Sequence, residues 1–290
     1  MRANFHFHAG LALILALVAT ATARGAAGPW AESSEARARL IAGGGGLGLE
    51  FELQPGWHVY WKNSGDAGYA PRLDFSATSA VRDARLLFPA PRRFELAAGM
   101  VSFGYEHAVI YPIAATITPT AAGPLPVRAR LDYLVCRDEC VPHAADLTLA
   151  LPAKTDAHDI EAARLAAALA ALPVPAEEAP EAPRVTISVA AAADGALTLE
   201  LSAASGTWRA AAPDLFFETH PLFALGAPEL KAAKSGLRFR IPLQPRDLTR
   251  PLPGTTTFAW TLTGFGRALS GGGAPVPVAL AGTAEVALPH

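Results

Sequence analysis

Leu131-Asp-Tyr-Leu-Val-Cys136-Arg-Asp-Glu-Cys140-Val-Pro-His143 holds both cysteines of a 290-residue chain. The pair follows a strand-like run, Val127 to Val135. On an extended strand, residues i and i+4 stand about 13 Å apart, at ~3.3 Å per residue. A disulfide needs Cα atoms roughly 4.4–6.8 Å apart. If the sulfurs are bonded the chain must turn between them, and Arg137-Asp138-Glu139 suits a tight exposed turn. Such a small ring removes only about 2 kcal/mol of unfolded-state entropy in the loop model. A short exposed ring therefore suits a bond that is made and broken better than a structural staple. A redox pair, a plain structural disulfide and a metal site all stay open at this point.

Working outward from the pair, the pattern is that of short strands. Leu47-Gly-Leu-Glu-Phe-Glu-Leu53 alternates with period two, as a half-buried strand does. Gln54-Pro-Gly56 turns it into the aromatic run Trp57-His-Val-Tyr-Trp61. The glycines at 43–46 read as a hairpin loop, since they lack the Lys-Ser/Thr ending of a phosphate-binding loop. Lys62 to Pro71 is loop chemistry throughout. Strands are expected at Arg72–Phe75, Val81–Phe88, Ile110–Thr118 and Ala145–Leu151. Short strands at 8–12-residue spacing predict a sandwich.

Residues 155–172 are rich in good helix formers, with Leu165, Leu169 and Leu172 expected on one face and Pro173 as the stop. Pro173 to Pro183 reads as a stiff acidic linker. Beyond it, Val185–Val189, Leu197–Leu201, Leu215–Phe217, Leu237–Ile241, Thr256–Leu262 and Val276–Leu288 are strand candidates, with Asp194-Gly195 as a turn. This second region has no cysteine and no cluster of ionisable groups, which assigns it to packing or docking.

Composition agrees with an all-β class: 25 Gly, 25 Pro and 51% hydrophobic residues. A net charge of −2 gives no sign of nucleic-acid binding. Met1-Arg2, the apolar run Ala9–Ala19 and Ala21-Thr-Ala23 form a secretory signal peptide too short to span a membrane. Gly25-Ala-Ala27 is a second cleavage choice, and the mature chain is expected to begin between Arg24 and Gly28. His6 and His8 fall in this leader. No later stretch is apolar for ~20 residues, so no further anchor is expected. The expected organisation is signal peptide 1–27, a first domain 28–153, helix and linker 154–183, and a second β-sandwich 184–290. In an oxidising compartment two cysteines usually mean a disulfide.

Three blocks carry a family resemblance: Gly56-Trp-His-Val-Tyr-Trp-Lys-Asn-Ser-Gly-Asp-Ala-Gly68, Phe103-Gly-Tyr-Glu-His-Ala-Val109 and Asp132-Tyr-Leu-Val-Cys136-Arg-Asp-Glu-Cys140-Val-Pro142. In that order they resemble the N-terminal periplasmic domain of the thiol:disulfide interchange protein DsbD. They resemble the matching region of the suppressor of copper sensitivity protein ScsB more closely still. The resemblance covers residues 30–152 strongly, and residues 184–290 only as a second immunoglobulin-like domain. It implies two immunoglobulin-like sandwiches, a periplasmic location and a relay of electrons. A membrane-embedded thiol reductant or thioredoxin-like domain would reduce the pair. The pair would then reduce a periplasmic disulfide isomerase or other thioredoxin-fold protein, with Cys140 forming the mixed disulfide and Cys136 resolving it. Phe103 to Tyr105 matches in order a cap loop that shields the pair. Full-length members continue into membrane helices and a thioredoxin-like domain, whereas this sequence stops at His290, which leaves the electron source open.

Around the pair, Arg137 would favour a thiolate while Asp138 and Glu139 would oppose it, so activation is expected to come from the partner. His143 is a candidate proton acceptor against the simpler reading of a surface histidine. Tyr60, Tyr105 and Tyr133 are candidate site lining against the simpler reading of core aromatics. Tyr133, three residues before Cys136, should face away from it. No cofactor is expected. A metal reading would use Cys136, Cys140 and His143, with His58 or His107 as a distant fourth ligand. Apart from thiol exchange, the alternatives are a non-catalytic secreted binding protein with a structural disulfide and a periplasmic copper- or zinc-handling protein.

Overall fold

The computed structural model describes residues 26–118, 123–153, 159–179, 182–204, 208–233, 236–267 and 276–289. Residues 1–25 of the expected signal peptide and 155–158 of the expected helix lie outside them, whereas Ala26 and Ala27, the last two residues of that leader, form a short strand paired in the first sheet. The first region carries strands β1 (Ala26–Ala27), β2 (Ala31–Glu32), β3 (Ala36–Gly43), β4 (Gly46–Leu53), β5 (His58–Gly65), β6 (Arg72–Asp74), β7 (Val81–Leu86), β8 (Arg92–Glu95), β9 (Val101–Glu106), β10 (Ala108–Ile117), β11 (Leu125–Cys136) and β12 (Cys140–Leu151).

These strands build two facing sheets. One runs β1-β3-β4-β10-β7 with β2 beside β3, and the other runs β12-β11-β5-β9-β8 with β6 beside β11. The period-two pattern explains the layering, because alternate residues point to opposite faces. Leu40, Leu49, Phe51, Val59, Trp61, Tyr111, Val127, Leu131, Tyr133 and Val135 fill the interior between the sheets. The two glycines that turn β3 into β4, Gly44 and Gly45, both have positive φ, as a tight hairpin of this hand requires.

The single described α-helix, α1 (Ile160–Ala170), starts on Asp159, whose carboxylate accepts from the Ala162 amide. It lies on the outer face of the first sheet. Gly48 makes room there, since a Cβ would stand 2.6 Å from Leu165 Cδ2. Beneath the helix, buried Glu50 is paired by Arg39 and Arg164, and Arg164 also bonds Glu161. The leucine stripe is corrected in part: Leu165 is buried, but Leu169 is half exposed. Ala162 and Leu165, one turn apart, make the seat instead, because the glycine gap admits only that end of the helix.

The second region carries β13 (Val174–Pro175), β14 (Arg184–Ala191), β15 (Leu197–Ala204), β16 (Trp208–Phe217), β17 (Phe223–Leu225), β18 (Glu229–Ala233), β19 (Gly236–Pro245), β20 (Thr255–Arg267) and β21 (Val276–Ala287). Its sheets run β13-β21-β20-β16 and β14-β15-β19-β17, with β18 beside β19. Leu199, Leu201, Phe239, Ile241, Phe258, Trp260 and Leu262 form its core. The chain is thus all-β, built as two sandwiches. The Pro-rich stretch is not a free spacer: Val174 and Pro175 pair in parallel with β21, and Val174, Ala176 and Ala179 pack on the second core.

The two sandwiches share a core residue. Phe216, on β16 of the second, belongs to the interior of the first, 5.2 Å from the Phe103 ring and 6.1 Å from Trp61. Arg93 on β8 holds Asp214 with two hydrogen bonds, 3.0 and 2.8 Å. No helix among the described residues is long and apolar enough to cross a membrane.

Candidate functional site: a disulfide at a hairpin tip

The β11–β12 ladder runs in register from Leu125 opposite Leu151 to Cys136 opposite Cys140. The cysteines are its last rung, with a Cα–Cα distance of 4.2 Å, and they form a disulfide. Arg137-Asp138-Glu139 makes the exposed turn, closed by the Arg137 amide on the Glu139 carbonyl at 3.1 Å. The two sulfur-bearing residues differ in exposure. Cys136 is 1% exposed, packed with Tyr60 and Leu134, while Cys140 is exposed. Of the two residues, Cys140 is the one on the solvent side.

Side-chain alternation decides which neighbours reach the pair. On β5, Val59 and Trp61 enter the core, so Tyr60 and His58 fall on the outer face with the cysteines. The Tyr60 hydroxyl stands 3.4 Å from Cys140 Sγ. Burial pushes the Tyr60 phenol up to about 12, so at neutral pH it is a hydrogen-bond donor. His58 pairs with Cys136 across the strands. Its Nε2 is 2.9 Å from Ser102 Oγ, its ring stacks on Phe94 at 4.6 Å, and its edge contact to Tyr60 spans 5.3 Å. Burial lowers its pKa to about 4, so it is neutral.

A loop covers this face. Residues 66–71 follow β5, and Tyr69 packs against Tyr60, Leu134 and Cys136. Its hydroxyl reaches the Tyr133 carbonyl at 3.5 Å. Gly68 has φ +87° and lies so close to the Tyr60 ring that a Cβ would overlap it. Only glycine fits that approach.

The other expected neighbours go elsewhere. Phe103 and Tyr105 enter the sandwich interior: Phe103 packs on Phe216, and the Tyr105 hydroxyl bonds the Pro89 carbonyl at 2.7 Å. As alternate residues of β9, both point away from the outer face, so the segment expected to cover the sulfurs does not. Tyr133 also faces inward, 5.1 Å from Phe51, as its spacing from Cys136 required. His143 stacks on Tyr133 at 5.2 Å and sits 2.9 Å from Glu35. It therefore shares the Tyr133 face and cannot take a proton from the sulfurs, nor join them around a metal. His107 is exposed beside Glu106. Among the described residues no group of three His, Cys, Asp or Glu is placed to hold a metal. Arg137 is turned away as well, bonded to Asp138 at 3.0 Å and over the Trp57 ring at 5.0 Å.

Sequence reasoning missed Tyr69, Gly68 and Ser102. Tyr69 had a signal, a lone aromatic in a Gly/Asp-rich loop; Ser102 had none, since only strand pairing sets it against His58.

Comparison with known proteins adds three findings. A sequence model of the family "Thiol:disulfide interchange protein DsbD, N-terminal" matches residues 30–152. No curated protein matches the chain. Among solved structures, the N-terminal periplasmic domain of ScsB from Proteus mirabilis is 20% identical, with TM-score 0.67, covering 89% of this chain and 97% of that one. That is a likeness of fold, and it extends over both sandwiches. The Neisseria meningitidis DsbD N-terminal domain in the reduced form is 12% identical, covering 44% of this chain and 86% of that one. Its TM-score is 0.25. Residues 30–152, which include the whole β11–β12 hairpin and its cysteine pair, thus match the DsbD N-terminal family.

Proposed function

We propose that this chain is a periplasmic thiol–disulfide exchange module that passes reducing equivalents to thioredoxin-fold proteins through Cys136 and Cys140. The observation that carries the reading is the asymmetry of the pair: one cysteine is exposed at a hairpin tip and the other is buried behind it. The family supports it, since the matched domain is that of a thiol:disulfide interchange protein. In this reading residues 1–27 direct export, residues 28–153 do the chemistry, residues 154–183 connect, and residues 184–290 support.

Starting from the reduced pair, the Cys140 thiolate attacks one sulfur of a partner disulfide. A Cys140–partner bond forms and the partner's other sulfur leaves as a thiolate. The Cys136 thiolate then attacks Cys140 Sγ, restoring the Cys136–Cys140 bond and releasing the partner's second sulfur. Two electrons move to the partner, which takes up two protons. A membrane-embedded thiol reductant or thioredoxin-like domain recharges the pair by the reverse sequence. Tyr60 is a donor to sulfur and favours the Cys140 thiolate. Tyr69 screens the pair from small oxidants between encounters.

The test is trapping. Cys136→Ala leaves Cys140 without its resolving sulfur, so mixed disulfides with thioredoxin-fold proteins of a periplasmic extract should accumulate through Cys140. Complexes forming only in Cys140→Ala, through Cys136, would reverse the assignment. None in either variant would remove the exchange reading.

A further inference from the structure

We infer that the second sandwich braces the loop packed against the Cys136 side of the disulfide, and so sets how readily the Cys136–Cys140 bond is reached. This rests on the exchange reading for its purpose, but its geometry is independent of any partner. The covering loop springs from the end of β5, and that end is bolted to β16. Asn63 Nδ2 donates to the Phe217 carbonyl at 2.8 Å, Asn63 Oδ1 accepts from the Gly65 amide at 3.1 Å, and Lys62 pairs with Glu218. The Asn63 side chain, on the first sandwich, thus ties the first turn of the loop to the Phe217 carbonyl of the second.

The brace is itself fixed. Residues along β16 engage the first sandwich in succession. Asp214 is clamped by Arg93, Phe216 is buried between Trp61 and Phe103, and the Phe217 carbonyl takes Asn63. Arg93 also lies over the Phe103 and Phe216 rings, 4.9 and 5.3 Å from their centroids. An apolar plug with a charged clamp is a rigid joint rather than a hinge.

From that joint the loop is carried to the sulfurs by its own bonds. Asp66 exchanges hydrogen bonds with Val101, its amide to the Val101 carbonyl and its carboxylate from the Val101 amide, each 2.8 Å. Ser64 Oγ donates to the Gly68 carbonyl at 2.9 Å. Gly68 then rests on the Tyr60 ring, and Tyr69 on the cluster of Tyr60, Leu134 and Cys136. Only the tip contacts the site, and its contacts are few. Such a segment opens locally at a free-energy cost far below that of global unfolding. Loosening its base raises the open fraction.

The experiment is the rate at which dithiothreitol reduces Cys136–Cys140 in the full folded chain. The dithiol becomes its cyclic disulfide as two thiols appear on the protein, so no protein partner is involved. Failure of the brace is therefore read separately from failure of exchange. Asn63→Ala and Asp214→Ala are compared with Ile241→Val, which trims the second core away from the joint. Asn63→Ala should speed reduction about fivefold, the factor by which a typical hydrogen bond shifts a local equilibrium. Asp214→Ala should speed it as well, although Asp214 lies on the other sandwich and touches no loop residue. Ile241→Val should stay within twofold of the parent rate. Equal rates in all four proteins, or equal acceleration by Ile241→Val, would overturn the inference. Should Asp214→Ala fail to fold, Glu218→Gln, which loosens only the Lys62 contact, gives the same reading.

Discussion

Reducing the Cys136–Cys140 bond should leave the first sandwich folded, and the cost can be worked from the hairpin. The bond closes a ring of about five residues, for which loop entropy gives ~2 kcal/mol. The cysteines are the last rung of a ladder that continues to Leu125 and Leu151, and β11 is also bonded to β5 and β6. Those pairings, and the packing of Cys136 against Tyr60 and Leu134, persist when the sulfurs separate. For a chain of this size, 1 kcal/mol moves Tm by about 2–4 °C, so the reduced protein should melt roughly 4–8 °C lower. Urea unfolding followed by far-UV circular dichroism, with and without excess dithiothreitol, measures the difference directly. Near-UV circular dichroism at 25 °C checks that aromatic packing survives. Collapse of the near-UV signal on reduction, or a loss above ~5 kcal/mol, would make the bond a structural staple. The reasoning from ring size would then be wrong.

Two more outcomes follow from buried residues. His58 is 3% exposed and its pKa is lowered from 6.5 to about 4 by burial, so the unfolded chain binds its proton first as pH falls. Stability from this group is complete above pH 6.5 and drains between 6.5 and about 4, at about 1.4 kcal/mol per pH unit and ~3 kcal/mol in all. Urea unfolding of His58→Phe should show a shallower fall across that window; an unchanged slope would mean that His58 stays neutral for another reason. Phe216→Ala removes a fully buried ring from the first core although it belongs to the second sandwich. It should cost about 3–5 kcal/mol and split calorimetric unfolding into two transitions. A single unshifted transition would mean the joint contributes nothing to cooperativity.

The resemblance blocks were legible in the sequence because they are local. The turn at Arg137 to Glu139, the glycine hairpin and the alternation of β4 and β11 each rest on neighbours within a few residues, where backbone preference and period-two burial suffice. The same alternation placed Tyr133 on the face opposite Cys136. The order of the resemblance blocks alone misplaced the cap. Phe103 and Tyr105 stand in a block that resembles the family, but only the pairing of β9 with β5 shows that both rings point inward.

The chain by itself determined an all-β protein, a cysteine pair that must sit at a bend, and tyrosines near it. Tertiary structure alone decided which cysteine is exposed, which aromatic packs beside the buried one, and that a phenylalanine more than a hundred residues away completes the first core. The physical reason is reach. A strand's own sequence sets which of its residues share a face, but what lies against that face depends on a partner brought there by sheet order and by packing between sandwiches.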